Sequence, residues 1–388
     1  MPDTTAGRER PASGRNERRG SGVTYAPHRP AGARSRAHWA VRRARERTVV
    51  RGYRAASAAL GRIPPRVSVS VGRALFVTGY FAWPAKRRVI LHNASHVLGL
   101  PAGDRQVRYL ARRIYSTYAE FIVELMRLPS LPPDEPVRLI RTPPDVHDSF
   151  LELHQRLRSE GRGTIVVSAH IGSIDLLAGA YALHGVRTYG LADDSAYPEL
   201  FDELNAQRRR WGIEIIPWRN MRRVFAALRE SALLGLVVDW GYRPDGIPVR
   251  LFGEWTTLPA GPALLAAKTR AGIVPVVNRR MDDGTYEAHH YELIEVADDS
   301  PASLQRATQQ IAEALEEMVA VAPEQWYTFK PVWPATPEEK AELARRAEQM
   351  ASQAATGRRS KGAAQPADEE LAEDANLTGA PLHDEAPR

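Results

Sequence analysis

The chain has no cysteine in its 388 residues. Disulfides, thiolate metal sites and a cysteine nucleophile are thereby excluded, and a reducing compartment is the simple expectation. It also lacks any run of about 18 apolar residues, so a conventional transmembrane helix is not expected. The amino terminus is polar, with nothing resembling the apolar stretch of a secretory signal, and the protein is expected to stay in the cytoplasm. No G-x-S-x-G is present to form a hydrolase elbow. Neither G-x-x-x-x-G-K-[ST] nor G-x-G-x-x-G occurs, which removes the usual phosphate-cradling loops. Chemistry must therefore come from other groups.

The charge is unevenly placed. Overall it is +7, yet residues 1–51 hold 13 arginines against Asp3, Glu9, Glu17 and Glu46, a balance of +9, which leaves the remainder at −2. An Arg-, Gly-, Pro- and Ser-rich tail buries too little apolar surface to order itself and is attracted to phosphates. Nucleic acid and an anionic membrane surface both answer that description, as does a solvated tail without a partner. A specific nucleic-acid partner is not expected, because the folded part is not basic.

Residues 1–48 read as a disordered basic tail and 49–136 as helical. Asp104 is placed to cap a helix in which Val107, Leu110, Ala111, Ile114, Tyr118, Phe121, Ile122 and Leu125 recur at helical spacing, with Arg105, Arg108, Arg112 and Arg113 on the other face. The segment ALFVTGYFAW, Ala74 to Trp83, is too short to span a bilayer and is followed by Pro84, Lys86, Arg87 and Arg88. Aromatic rings and long cations in that order suit a headgroup boundary, while the other reading is a core helix with a basic end. After Pro132-Pro133 the runs TIVVSA, VRTYGLA, IEIIP, LLGLVVD, VRLF and IVPVVNRR read as strands. Helical segments near 173–184, 197–211, 219–232 and 259–270 fall between most of them. This alternation predicts an α/β domain over 137–335 with a mostly parallel central sheet flanked by helices. Residues 336–388 begin as a helix and dissolve into a tail.

The stretch TIVVSAHIGSIDLL, Thr164 to Leu177, carries a histidine and an aspartate at a strand-to-helix junction. The same spacing of five appears in His147 with Glu152 and in His290 with Glu295. The first of these lies in an amphipathic helix, where positions five apart diverge, and the second in a strand-like run, where an odd offset puts them on opposite faces. His170 instead stands at the carboxyl end of a buried strand, where α/β sheets bind ligands. Gly172-Ser173 permits a sharp turn that would bring Asp175 to the ring. A carboxylate on one ring nitrogen leaves the other free to act as a general base. The other reading is two polar residues in a turn. Ser168 and Ser173 are weak nucleophile candidates, so direct transfer to a second substrate's hydroxyl is the more natural chemistry.

HIGSID, followed by VVDWGYRPDGIPVRLFGEWTTLPAGPALLAAKTRAGIVPV and PEQWYTFKPVW, resembles the lysophospholipid acyltransferase superfamily over roughly residues 68–334. More narrowly it resembles the bacterial branch of late lipid A acyltransferases and phosphatidylinositol mannoside acyltransferases. That resemblance implies an enzyme moving a fatty acyl group from acyl-CoA or acyl-ACP to a hydroxyl of a membrane lipid or glycolipid, with no cofactor and no metal. The alternatives are a glycerophospholipid acyltransferase and an esterase-like lipid-binding protein. It also implies a peripheral or monotopic location on the cytoplasmic face of the cell membrane. Carried over by position, His170 is the base, Asp175 its orienting acid and Glu254 a further active-site acid. Arg208 would contact the donor or the developing charge. Asp239, Phe252, Gly253, Pro259 and Gly261 would belong to the substrate site. The branch more often has Glu at Asp175 and Phe at Leu251. Trp326, Tyr327, Phe329 and Trp333 read as packing.

Overall fold

The computed structural model describes residues 33–192 and 197–353, with side chains from residue 43 onward. The basic tail as far as residue 32 and the tail beyond 353 lie outside the described residues. The chain divides into two compact units, Met1–Arg47 and Thr48–Arg388, and the elements that build the candidate site all lie in the second.

Helix α1, Ala33–Arg62, starts well inside the stretch expected to be disordered. Its Ala- and Arg-rich sequence explains why, since both residues are among the best helix formers. Then come α2 (Pro65–Ala82), α3 (Pro84–Leu98) and α4 (Arg105–Arg127). Asp104 caps α4 as expected, accepting from the Gln106 amide at 2.7 Å. Its buried stripe runs Val107, Leu110, Ala111, Ile114, while Arg105, Arg108, Arg112 and Arg113 are exposed. Against α4, α2 buries Ser68, Gly72 and Tyr80, and a Cβ at Gly72 would lie 2.8 Å from the Val123 side chain.

Short helix α5 (Glu135–Leu139) and α6 (Pro144–Ser159) lead into the α/β part. There β1 (Thr164–Ser168), α7 (Ile174–Leu183), β2 (Thr188–Ala192), α8 (Pro198–Arg210), β3 (Ile213–Pro217), α9 (Met221–Arg229) and β4 (Leu233–Val237) alternate. Next are a hairpin, β5 (Ile247–Leu251) and β6 (Glu254–Leu258), then α10 (Gly261–Thr269), β7 (Gly272–Arg280), β8 (Tyr286–His290), α11 (Pro301–Val321) and α12 (Pro337–Ser352). The main sheet has the order β3-β2-β4-β1-β7-β8, parallel except for the antiparallel pair β7 and β8. β1 is central and buried at all five positions, which is why its sequence is a continuous apolar run rather than an alternation. The expected sheet and its flanking helices are thus present. Strand β6 and helix α11 were not foreseen: β6 pairs only with its hairpin neighbour, and its sequence EWTTL has no apolar run. Helix α11 had legible signals, with Ser300 capping the Ser303 amide and Pro301 opening the first turn.

The helical layer is joined to the sheet by buried charge. Glu120 of α4 pairs with Arg73 at 2.6 Å and with Arg280 of β7 at 2.8 Å, and Glu124 pairs with Arg280 at 2.7 Å. The Tyr286 hydroxyl donates to Glu124. Burial pushes the Glu124 carboxyl up, and Arg280 and Tyr286 oppose that. Removing one member of such a set leaves an uncompensated buried charge. Arg280→Met is therefore expected to destabilise the fold by about 3–5 kcal/mol, and adding Glu120→Gln and Glu124→Gln to recover part of that loss. Denaturant midpoints of the three proteins check this; equal midpoints for the single variant and the parent would refute it.

Candidate active site

Parallel strands in register deliver equivalent residues to the same edge. Ser168 of β1 is paired with Val237 of β4, so the residues two positions further on, His170 and Asp239, emerge side by side. The His170 ring Nδ1 lies 2.7 Å from Asp239 Oδ1. The His170 backbone amide donates to Asp239 Oδ2 at 3.0 Å, and the Trp326 indole Nε1 donates to the same oxygen at 2.8 Å. An ionised carboxylate can only accept, so the ring carries its proton on Nδ1 and offers the Nε2 lone pair. Asp239 is 1% exposed, whereas the His170 side chain is 31% exposed. Trp240 stands edge-on to the ring at 5.3 Å, and Lys330 Nζ lies 5.4 Å from the Trp240 ring centre.

The electrostatics follow from burial against pairing. Burial lowers the basicity of His170, but the Asp239 charge and hydrogen bond outweigh it, and with Lys330 opposing, the ring titrates above its ordinary range. Burial pushes the Asp239 carboxyl up, and the His170 charge, its two hydrogen bonds and the Trp326 bond more than reverse this, so it stays ionised below its ordinary range.

The turn after His170 admits only glycine at position 172. Its φ is +60°, and a Cβ there would lie 1.6 Å from the Asn278 carbonyl oxygen. The Asn278 side chain donates to the Ser173 carbonyl at 2.7 Å, fixing the start of α7. From that first turn Asp175 does not engage the imidazole. Its two oxygens meet Arg208 Nε at 2.6 Å and Nη2 at 3.3 Å, in a forked pair that ties α7 to α8. The sequence expectation of a His170–Asp175 bond is corrected accordingly: the bonded carboxylate is that of Asp239. A spacing of five between a strand tip and a helical turn did not bring the two groups together. Strand register did so across 69 residues.

The remaining expected site residues are distributed around this centre. Phe252 and Gly253, with φ of +50° and +76°, form the two-residue turn of the β5–β6 hairpin, since Leu251 pairs with Glu254. Glu254 is half exposed and bonds Lys340 of α12 at 2.8 Å, which holds its carboxyl below the ordinary range. Pro259 and Gly261 shape the passage from β6 into α10. The hairpin connects to the centre through rings: Phe252 meets Trp333 at 6.4 Å, and Trp333 meets Trp326 at 6.3 Å. Ser168 is buried, and its hydroxyl turns toward the Ala169 carbonyl. Trp326 is the residue that sequence reasoning undervalued; a buried indole N–H needs an acceptor, which was the available signal. His147 stands on α6 against the His184 ring, and Glu295 is paired with Arg162, so neither of the other two spacings forms a dyad.

A histidine backed by a buried aspartate at the open end of a parallel strand is an arrangement able to accept and return a proton. Comparison with known proteins names the family. The sequence model of the bacterial lipid A biosynthesis acyltransferase family matches residues 55–334, and the chain belongs to that family of acyl-transferring enzymes. Among its relatives are a phosphatidylinositol mannoside acyltransferase of Mycolicibacterium smegmatis and one of Mycobacterium tuberculosis. The first is 27% identical over 250 residues, covering 62% of this chain and 77% of the relative. The second is 25% identical over 269 residues, covering 67% and 82%.

The assignment of the carboxylate has a direct check. In an NMR titration of the His170 ring, the midpoint is expected above the ordinary histidine value of about 6.5. Asp239→Asn removes the charge and keeps the burial, so the midpoint falls below that value. Asp175→Asn leaves it close to the parent. The reverse ranking of the two variants would restore the five-residue spacing as the working pair.

Proposed function

We propose that the protein transfers a fatty acyl group from an acyl thioester, on coenzyme A or acyl carrier protein, to a hydroxyl of a phosphatidylinositol mannoside-like or lipid A-like glycolipid. The observation that carries this reading is the His170 ring, held by Asp239 at Nδ1 and partly open to solvent. His170 Nε2 takes the acceptor's hydroxyl proton as the oxygen attacks the thioester carbonyl. The tetrahedral intermediate then expels thiolate, breaking the carbon–sulfur bond. A thiol with a pKa near 8.5 leaves without strong acid assistance. Its proton is available from the imidazolium, which restores the base. The developing oxyanion needs prepared donors. Backbone amides of the Gly172 turn are one source. Arg208 is another, since its pair with Asp175 uses Nε and Nη2 and leaves Nη1. Glu254, Asp239 and the hairpin residues Phe252 and Gly253 were expected at the substrate. In this reading Asp239 acts through the ring, and Glu254 with Lys340 belongs to the rim.

The acceptor is placed at an anionic membrane surface, which we assign to the cytoplasmic face. Among the described residues no helix is long and apolar enough to cross a membrane. What α2 offers instead is an inverted amphipathicity: Val67, Val71, Leu75 and Phe81 are exposed at 52–67%, and Trp83 follows at 59%. Arg62 and Arg66 are exposed at one end of this face and Arg88 beyond the other. Burying such side chains contributes roughly 1.5–3 kcal/mol each when complete. Partial insertion of five gives marginal anchoring on the order of a single acyl chain. Each basic side chain near an anionic surface adds about 1 kcal/mol.

Three outcomes are expected. His170→Ala lowers acyl transfer by about 10²- to 10⁴-fold in a folded protein. Lipid mass spectrometry of cells lacking the gene shows a glycolipid short of one acyl chain; activity retained above a few percent removes His170 as the base. Separately, Leu75→Asp with Phe81→Asp is expected to cut flotation with anionic vesicles several-fold without lowering the unfolding temperature. Unchanged flotation would remove α2 as the membrane face.

A further inference from the structure

The Asp239 carboxylate receives three N–H groups, and one of them comes from outside the two strands that carry the dyad. Oδ1 faces the His170 ring at 2.7 Å; Oδ2 accepts from the His170 amide at 3.0 Å and from Trp326 Nε1 at 2.8 Å. A carboxylate on a single bond rotates unless both oxygens are held. Two donors from different segments on Oδ2 stop that rotation with Oδ1 turned to the imidazole. The next residue completes the clamp, because the Tyr327 amide donates to the His170 carbonyl at 2.8 Å and Ile171 forms a bridge with Trp326.

The indole is itself fixed before any substrate arrives. The Gln325 side chain accepts from the Arg280 amide and donates to the Arg280 carbonyl, both at 2.8 Å. The Thr117 hydroxyl of α4 donates to the Glu324 carbonyl. The Trp326 ring packs edge-on against Trp333, whose own Nε1 donates to the Leu251 carbonyl at 3.1 Å. Ring packing alone would be met by phenylalanine; the N–H is what tryptophan adds here.

We propose that Trp326 is a positioning residue for the base, its indole N–H locking the Asp239 carboxylate in the orientation that receives the His170 ring. The inference rests on the acyl-transfer reading for its kinetic consequence, but the hydrogen-bond lock itself does not depend on that reading. Removing the indole donor concentrates charge on the carboxylate, which then holds the imidazolium more tightly. The ring's midpoint moves up, and its orientation loosens. The charged groups facing this centre are Asp239 and, opposing it, Lys330; Trp240 is the uncharged neighbour at the mouth.

The test uses the full chain with Trp326→Phe, and with the indole at 326 replaced by the isosteric benzothiophene, which keeps ring volume and deletes only the donor. NMR titration of the His170 ring is expected to show a midpoint raised by roughly half a pH unit. Transfer kinetics are expected to show kcat about tenfold lower, with donor KM near the parent value and the acid limb of kcat/KM displaced upward by the same amount as the ring. A ring midpoint that stays at the parent value in a folded variant overturns the lock, whether or not activity falls. Loss of activity equal at every pH, with the acid limb unmoved, likewise reduces Trp326 to packing. Should His170→Ala prove active, the acyl-transfer role of the ring fails, and the titration still decides whether Trp326 sets the carboxylate. If Trp326→Phe does not fold, the benzothiophene protein carries the measurement.

Discussion

A charged carboxylate with 1% of its side chain exposed is a costly thing to keep in a protein interior, and Asp239 is such a group. The fold meets that cost with three N–H donors, two from the residue at the tip of β1 and one from an indole 87 residues further along the chain. The arrangement depends on the sheet's register, on the Gly172 turn that lets the chain leave β1 without collision, and on the segment after Pro323 lying against the strand ends. Because all the partners are main-chain or aromatic groups anchored elsewhere, the carboxylate is positioned by the fold and in turn positions the imidazole. The buried ion is thus better understood as a device for orientation than as a source of stability.

The same economy of position explains what the sequence revealed and what it concealed. Six strands and the four helices between them were legible, because the strands are dense apolar runs, five of them in the main sheet, and three of the four helices begin at Ser, Tyr-Pro or Asn. His170 was legible as a polar residue at the end of such a run. The identity of its partner was not, because the eye follows the chain and the sheet does not. TIVVS and LLGLV have equal length and stand in register, so the residues at equal distance beyond them meet. That inference was available in principle once β1 and β4 were taken as neighbours. The five-residue spacing competed with it and pointed to Asp175. The setting of Glu254 was hidden for a related reason: Phe-Gly-Glu reads as a motif, and in the fold Phe252 and Gly253 are a two-residue turn, with the exposed glutamate opening a strand whose last three residues are buried.

Helix α2 shows a different limit. Its apolar content suggested burial or membrane contact without choosing between them. The choice lies in which face carries the small residues. Ser68 and Gly72 are buried against α4, which allows close approach of the two helices; Tyr80 is buried near the end of α2 against Tyr115, while Val67, Val71, Leu75 and Phe81 are left outward. A core helix would do the opposite, placing bulk inward and polar residues outward. Glu120 and Glu124 then fasten that layer to Arg280 at the far end of β7, so the helical layer and the sheet are tied by buried charge.

The basicity of His170 is a compromise with a visible mechanism. A general base works best when its pKa lies near the operating pH: a higher value strengthens proton abstraction but reduces the fraction of ring that is neutral and able to accept. Asp239 pushes the ring upward, burial and Lys330 pull it down, and the net displacement remains upward. The direction suits the transfer proposed above, whose attacking group is an alcohol, a very weak acid, and whose leaving group is a thiolate, a weak base. Most of the proton-transfer difficulty then falls at the first step, where a stronger base helps, and little falls at the second, where a stronger acid would be needed. An amide or ester donor would reverse that balance, because its leaving group must be protonated as it departs. In the proposed transfer the imidazolium left by the first step is itself the proton source for the departing thiolate, so one ring, held at Nδ1 by Asp239, serves both steps.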